Sequence, residues 1–597
     1  MIQKMIENQM LAEINFQNML AAHPLASEFS VPMQGTVSYV DRQRTLLSER
    51  AKQYLAQSVP RLTFEDFTAY GKNGKRADYD AHYYDRRGRL MVFALMAWLE
   101  PENETWLSAF CDIVWDICAE PFWCIPAHFY DEKRAPLDFG LYANHLDLFS
   151  CETAFALAEA DALLAERLPE MIRRQIRLSV QRRVFDTWLN DKRRFFFEKY
   201  PNNWASVCAG SIGGAALYLL PDGQELHRIL HRCMACIDVY FSSFGADGVC
   251  LEGAGYFSYG FGFTCFADLL NKRSHGQIDL FVLQEKAKVV AMSQHWFYIS
   301  GRTAVNFADT REDVKCRMGI SQHLLDKTGA PIPSVAEDVL DDTCYRFCLA
   351  VRDLAWTHHE SPASQTSEAV WLEQAQWFLS RHDSLALAAK GGCNGQSHGH
   401  NDCGSLIVFA NGESCICDPG AGQYTAAYFS PKRYEFLTTG ARGHNVPIIN
   451  DTFQTFGPTF CARELEVETD TPVRAFSAEL SACYPPQANV RRFVRRIVHN
   501  TGNDSITLED TVMLNAAGFC CENFCGREEI VLKPGEAVFS RKGQQVRLCY
   551  DEELLKAEII QDSYIDIDNR NCPVWFLRLH SRNEAASHTI RIEITGK

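Results

Sequence analysis

The amino-acid sequence predicts a multidomain α+β chain, a long helical region followed by an antiparallel β region. Three observations carry this. The chain has 597 residues, more than one hydrophobic core usually organises. Helical periodicity dominates from Asp85 onward. After Asp383 the texture changes to strand-length runs, several alternating apolar with polar residues. The expected domains are residues 1–380 and 381–597, divided where the texture changes.

Residues 1 to about 80 mix amphipathic helix with loop, and LTFEDFTAYGKNGKRADYD reads as a loop or entry segment whose Lys72, Lys75 and Arg76 form a basic cluster, solvated in the first reading and facing an anionic substrate in the second. Helical segments follow in order: DRRGRLMVFALMAWLE, NETWLSAFCDIVWDICAE, LDLFSCETAFALAEADALLAE, MIRRQIRLSVQRRVFDTWLN, WASVCAGSIGGAALYLL and ELHRILHRCMACIDVYFSSF. Further helices are expected over residues 256–380, ending near EAVWLEQAQWFLSRHD. Successive amphipathic helices joined by loops pair antiparallel and close into a toroid or stack into a solenoid, and periodicity alone does not choose. The later runs, SLALAAK, SLIVFAN, SCICD, AFSAELSACY, RRFVRRIVHN, SITLEDTVML, VRLCY, VWFLRLHS and HTIRIEITG, are punctuated by Asn-Gly, Thr-Gly and Lys-Pro-Gly turns. They predict an antiparallel β-sandwich.

Composition excludes some functions. A net charge of −16 argues against nucleic acid and against an anionic membrane surface as bulk partners, although a local basic cleft can still receive an acidic substrate. No apolar run of about 18 residues is present, so no transmembrane helix is expected. The segment MIQKMIENQMLAEINFQ lacks the apolar core of a signal peptide, and the expected location is cytoplasmic. Oligomeric state, a homo-oligomer included, stays open. The 23 cysteines are scattered through apolar patterns and read as mostly reduced core residues, Cys233 and Cys236 lying on a buried helix face.

Chemistry concentrates between Ser397 and Asn450, which opens SHGHND and closes ARGHNVPIIN. His398 and His400 would point to opposite faces of an extended segment unless Gly399 bends the backbone. SLIVFA meets Asn411-Gly412, a hairpin signal, and ESCICD returns to Asp418, which counts opposite Ser405. His444 follows in a glycine-flanked loop. Two imidazoles and a carboxylate, His400, Asp418 and His444, suit a divalent ion, zinc ahead of manganese or calcium, and leave His398 free for chemistry. The plainer alternative is loop histidines making ordinary hydrogen bonds.

Two patches in the helical half could complete a site. YPNNWASVCAG places Asn202, Asn203 and Trp204 before a helix, where one asparagine is expected to cap. DGVCLEGAGYFSYGFG places Glu252, Tyr256 and Tyr259 in a glycine-rich segment, where aromatic groups serve as packing or sugar-stacking surfaces more often than as acids or bases.

SHGHND, CDPGAGQYT and SPKRYEFLTTGARGHNVPIIN together resemble the heparinase II/III-type polysaccharide lyases, closely over residues 396–450 and loosely over the helical half. The resemblance implies an incomplete α/α toroid ahead of the β-sandwich. It implies His400, Asp418 and His444 as ligands of one structural metal ion and His398 as the active-site histidine. It further implies Asn203 as the group that neutralises the substrate carboxylate, with Asn202 in reserve, and Tyr256 as the catalytic tyrosine, with Tyr259 second. Glu252 belongs to the same element, and YANHLDLFSCETA resembles a cleft-lining helix start from which His145 either touches sugar or caps and packs.

The implied activity is β-elimination on uronic-acid-containing oligo- or polysaccharides, glycosaminoglycans such as heparan sulfate, chondroitin or hyaluronan first and alginate-type polyuronates second. A metal-dependent hydrolase and a non-catalytic glycan-binding protein are the alternatives from other classes.

Overall fold

The computed structural model describes residues 11–129, 144–190, 195–299, 303–358, 367–382, 384–396, 398–425, 427–470 and 472–596. Ser397, the first ten residues of the N-terminal segment and the start of YANHLDLFSCETA lie outside them.

The first helices are α1 (Ser38–Leu55), α2 (Phe64–Asn73) and α3 (Ala77–Leu99). α2 and the start of α3 stand where a loop is expected over LTFEDFTAYGKNGKRADYD. Local signals at both ends explain the helix. The Thr63 hydroxyl accepts the Asp66 N–H at 3.1 Å, and Gly74 closes α2 in the left-handed region at φ 76°. Phe67 then stacks on Phe122 at 4.8 Å, which buries the face that the polar sequence hides. Lys75 and Arg76 pair with Asp78 and Asp80 in the first turn of α3, each at 2.6 Å, where carboxylates favour the helix N-terminus.

The series continues as α4 (Glu104–Ala119), α5 (Leu148–Leu164), α6 (Glu170–Val180), α7 (Asn203–Leu219), α8 (Gln224–Phe241), α9 (Ala254–Gly260), α10 (Thr264–Arg273), α11 (Met318–Thr328) and α12 (Phe347–Ala355). α3, α5, α7 and α10 pack side to side as an inner layer, while α4, α6 and α8 cover them outside. α12 touches α10, α5, α3 and α1 and so brings the inner layer back to its start. The inner helices are buried nearly all round, which is why their apolar residues run continuously. At Gly213 and Gly214 of α7 an added Cβ would sit 2.5 Å from the Phe266 ring and 2.6 Å from the Phe155 ring, so only glycine admits both neighbours.

Strands begin at β1 (Ala369–Leu372) and β2 (Trp377–Arg381), a hairpin where the last helix is expected over EAVWLEQAQWFLSRHD. Val370, Trp371, Trp377 and Phe378 favour a pleated surface, and Gln376 turns the chain at φ 54°. With β3 (Leu385–Lys390), β4 (Leu406–Ala410) and β5 (Glu413–Ile416) they form a five-stranded antiparallel sheet in chain order. Its two faces serve different cores. Trp377, Leu379, Ala386, Ala388 and Ile407 pack on the helices, whereas Phe378, Leu385, Leu387, Leu406 and Val408 pack on the later strands. Burial on both faces gives near-continuous apolar runs in place of alternation.

The remaining strands are β6 (Ile448–Ile449), β7 (Arg463–Glu468), β8 (Val473–Glu479), β9 (Val490–Asn500), β10 (Ser505–Gly518), β11 (Cys520–Gly526), β12 (Val531–Lys533), β13 (Glu536–Arg541), β14 (Gln544–Cys549), β15 (Leu555–Ile565), β16 (Asn571–Ser581) and β17 (Ala585–Gly596). They form an eight-stranded sheet, β12-β13-β14-β17-β10-β9-β8-β7, and a four-stranded sheet, β15-β16-β11-β6. The architecture is thus a helical half followed by packed antiparallel sheets. Among the described residues no helix is long and apolar enough to cross a membrane. Twenty-one of the 23 cysteines are free, most of them buried, Cys233 and Cys236 within α8 included; Cys393 and Cys461 form a disulfide.

Candidate functional site

Asn411 and Gly412, at φ 44° and 86°, make the two-residue turn between β4 and β5. A register shift then pairs Val408 with Ile416, one residue off the simple count that sets Asp418 opposite Ser405. The bend in the His-Gly-His element also differs from expectation. His398 itself takes the left-handed backbone, φ 51°, a conformation unusual for a side chain-bearing residue and concentrated at functional sites. Gly399 is needed for another reason: a Cβ there would meet the Gln396 carbonyl at 3.0 Å.

This bend aims both imidazoles at one carboxylate, Asp309, which the sequence reading does not single out. His398 Nδ1 lies 2.8 Å from Asp309 Oδ2 and His400 Nε2 lies 3.0 Å from Oδ1. Tyr428 Oη donates to Oδ1 at 2.5 Å and Arg433 Nη2 to Oδ2 at 2.7 Å. Burial disfavours the charged carboxylate, yet these partners overcome it and hold the Asp309 pKa well below the usual range. Asp309 belongs to a loop of the helical half that threads the β loops. Beside it, Asn306 donates to the Asp418 carbonyl at 2.9 Å, and the Thr310 carbonyl accepts the Ala421 N–H at 3.1 Å.

The structure brings His398 and Tyr256 together, their rings 4.7 Å apart at 38°. Tyr256, early in α9, places its hydroxyl 2.7 Å from that of Tyr424. Burial raises the Tyr256 pKa further above the ordinary phenol value, so the group is a neutral phenol near pH 7. Asn202 caps α7 by accepting the Trp204 N–H at 3.1 Å, and Asn203 is its buried first residue. Asn202, Asn203, Glu252, Tyr256 and Gln396 line one cavity of about 150 Å³.

The other candidates lie elsewhere. Tyr259, one turn beyond Tyr256, carries the Arg346 guanidinium 3.9 Å over its ring and lines a separate cavity of about 390 Å³ with Arg311, Lys315 and Asp342. His145 sets its ring edge-on to Phe195, 6.1 Å between centroids, and is not part of the lining around Asn203 and Tyr256.

His400 and His444 face each other with rings 5.0 Å apart. The carboxylate that converges with them is Asp402, and the three offer ligand atoms within 4.8 Å of one another. Asp418, expected as the third ligand, instead stands behind His444, its Oδ2 2.8 Å from Nδ1. The shifted register and the hydrogen bond from the Gly420 N–H to Asp418 Oδ1 at 2.8 Å hold it there. Burial disfavours a charged His444, but Asp418 outweighs it and raises its pKa; for His400 burial prevails over Asp309 and lowers it. A divalent ion fits this set on one observation. His400 Nδ1, Asp402 Oδ2 and His444 Nε2 are each buried without a hydrogen-bond partner, a costly arrangement unless something coordinates them. Asp309 and Asp418 then orient the two imidazoles from behind, as outer carboxylates do at metal sites.

Buried cross-links hold these loops. Arg495 of β9, paired with Asp510 and Glu522, donates to the carbonyls of Gly404 and Asn445, both at 2.8 Å. Lys390 Nζ binds Asp402 Oδ1 at 2.7 Å, and Asn523 donates to the His444 carbonyl at 2.8 Å.

The Heparinase II/III-like, C-terminal family model matches residues 364–520. Among curated proteins none matches the sequence. Solved structures share the fold at low identity. The crystal structure of heparinase III aligns with a TM-score of 0.64 at 11% identity, covering 100% of this chain and 89% of that one. Heparan sulfate lyase HepC from Pedobacter heparinus aligns at 0.58 and 10%, covering 94% and 88%. The Streptomyces coelicolor A3 chondroitin AC lyase aligns at 0.56 and 11%, covering 100% and 82%. Residues 364–520 thus match the Heparinase II/III-like, C-terminal family model, and the whole chain shares the fold of these solved structures, a helical toroid followed by antiparallel β-sheets.

Proposed function

We propose that this chain is a polysaccharide lyase that cleaves uronic-acid-containing glycans by β-elimination, with glycosaminoglycans or their oligosaccharides as the first substrate class. The observation that carries the reading is the meeting of His398 from the β half with Tyr256 from the helical half, 4.7 Å between rings, beside a cavity lined by Asn203. The names of the solved structures that share the fold, heparinase III, heparan sulfate lyase and chondroitin AC lyase, agree with it.

Removing the C5 proton beside a sugar carboxylate builds charge on a group that is already anionic. The Asn203 amide supplies hydrogen bonds to that carboxylate without titrating. Asp309 is held as a carboxylate and can only accept, so His398 donates Nδ1–H to it and keeps Nε2 as the nitrogen able to take the proton. The C5–H electron pair forms the C4–C5 double bond as the C4–O bond breaks. Tyr256, kept neutral by burial, gives its proton to the leaving oxygen. Glu252 and Asn202 border the same cavity as substrate contacts; Tyr259 and His145 would act only on more distant sugar units.

His400, Asp402 and His444 would hold the ion, zinc first on a donor set of two imidazoles and a carboxylate, with Asp418 behind His444. When bound, it supplies positive charge that offsets the buried carboxylate and ties the loops together. The burial of these side chains favours this structural role over a hydrolase, whose ion needs a position open to water.

The test is turnover on heparan sulfate, chondroitin, hyaluronan and alginate, scored by ultraviolet absorbance of an unsaturated product. Cleavage without new absorbance would replace the lyase with a hydrolase. Binding without cleavage of any of the four would leave a glycan-binding protein.

A further inference from the structure

One carboxylate, Asp309, is shared by both histidines of the His-Gly-His element, so what it does to His398 and to His400 is coupled. Asp309 is fully buried, and its four acceptor positions are all engaged: Oδ1 by His400 and Tyr428, Oδ2 by His398 and Arg433. Only a carboxylate can meet this demand, because every neighbour that faces it is a donor. The chain around it is shaped to the task. Ala308 takes the left-handed backbone at φ 68°, and the Thr310 N–H closes on the Ala308 carbonyl at 2.7 Å, which turns Asp309 into the β loops.

We infer that Asp309 is the positioning residue for the elimination, fixing the tautomers of both histidines at once from the opposite domain. The inference rests on the lyase reading for its kinetic part only. Because Oδ2 accepts from His398 Nδ1, His398 keeps its lone pair on Nε2. Because Oδ1 accepts from His400 Nε2, His400 keeps its lone pair on Nδ1, the nitrogen left without a hydrogen-bond partner beside His444. The two imidazoles are one residue apart yet carry their protons on opposite nitrogens. The base is therefore complete only when the helical-half loop is seated among the β loops.

Histidine tautomers are read directly from two-bond proton–nitrogen correlations of the imidazole-labelled protein, with His398 and His400 identified by the signals lost in His398→Gln and His400→Gln. The expected result for the wild-type protein is His398 with hydrogen on Nδ1 and His400 with hydrogen on Nε2. The opposite tautomer at His398 would overturn the inference without any variant or substrate. Asp309→Asn keeps the shape but replaces one acceptor oxygen by an N–H₂ donor, so one of the two histidines must change tautomer. In that variant kcat is expected to fall by about 10²-fold or more while KM stays within about threefold, since the wrong tautomer leaves binding groups in place. Both tautomers unchanged in Asp309→Asn, or a loss confined to KM, would also overturn it. A protein that cleaves no glycan yet shows the expected tautomers would end the lyase reading and leave the positioning geometry standing.

Discussion

Tyr256 and Tyr424 place their hydroxyl oxygens 2.7 Å apart across the junction between α9 and the loop that follows β5. Tyr424 is a phenol from the β half held against the proposed acid from the helical half, and Phe429 packs edge-on to it at 4.9 Å. A second hydroxyl on the reacting oxygen can steady the phenolate left after proton donation. Tyr424→Phe should therefore lower kcat by about 10-fold to 10²-fold with little change in KM, and Tyr256→Phe by about 10³-fold or more. Equal activity in Tyr424→Phe, measured as initial rates of unsaturated product, would show that the hydroxyl pair only packs.

Two carboxylates stand close to His444 and His400, and only one of them, Asp418, is expected from the sequence. Asp402 offers an uncommitted buried oxygen toward His400 and His444, whereas Asp418 hydrogen-bonds His444 Nδ1. Asp402→Asn and His444→Ala should abolish tight metal binding and lower the melting temperature. Asp418→Asn should weaken affinity by about 10-fold to 10²-fold, the usual effect of losing an outer carboxylate. Metal content of the purified variants decides this, and full occupancy in Asp402→Asn with none in Asp418→Asn would exchange the two roles.

The parts of this site legible in the sequence are those whose signal is local. Asn411-Gly412 announces its turn because both residues need positive φ, and the inner helices announce themselves by length and apolar content. Asp309 lies 89 residues from His398 in a loop with no motif of its own, and its role exists only after the domains meet. The strand Trp377–Arg381 is hidden because burial on both faces erases the alternation that marks a strand. The one-residue register shift that moves Asp418 off its counted place opposite Ser405 is below what pattern counting resolves. α2 was legible in principle from Thr63 and Gly74, but its polar composition outweighed those caps.

Asn203 opens α7 as a buried amide in the same cavity as Tyr256. Its proposed work is to hydrogen-bond a carboxylate whose charge grows in the transition state, so its loss should appear in kcat more than in KM. Asn203→Ala is expected to cost about 10²-fold in kcat. Asn203→Asp, which sets like charge against the substrate, should raise KM as well. A kcat within about twofold of wild type in Asn203→Ala would remove the residue from the elimination.

His499 of β9 gives the β half a defined acid sensitivity. It is fully buried, with Nδ1 2.8 Å from the Ser380 hydroxyl, and burial together with the nearby Arg474 brings its pKa down to about 4. An unfolded histidine titrates near ~6.5, so between ~6.5 and 4 the unfolded chain binds a proton that the folded protein refuses. The neutral imidazole's contribution is complete above about pH 6.5 and is lost as pH falls toward 4, amounting to about 3 kcal/mol over that window. His499→Asn keeps a polar group facing Ser380 but cannot titrate. Its melting temperature should lie below wild type at pH 7.5, and the gap should close as the pH is lowered to 5. Calorimetric scans of both proteins across this range provide the check, and parallel slopes would assign the acid sensitivity to other groups.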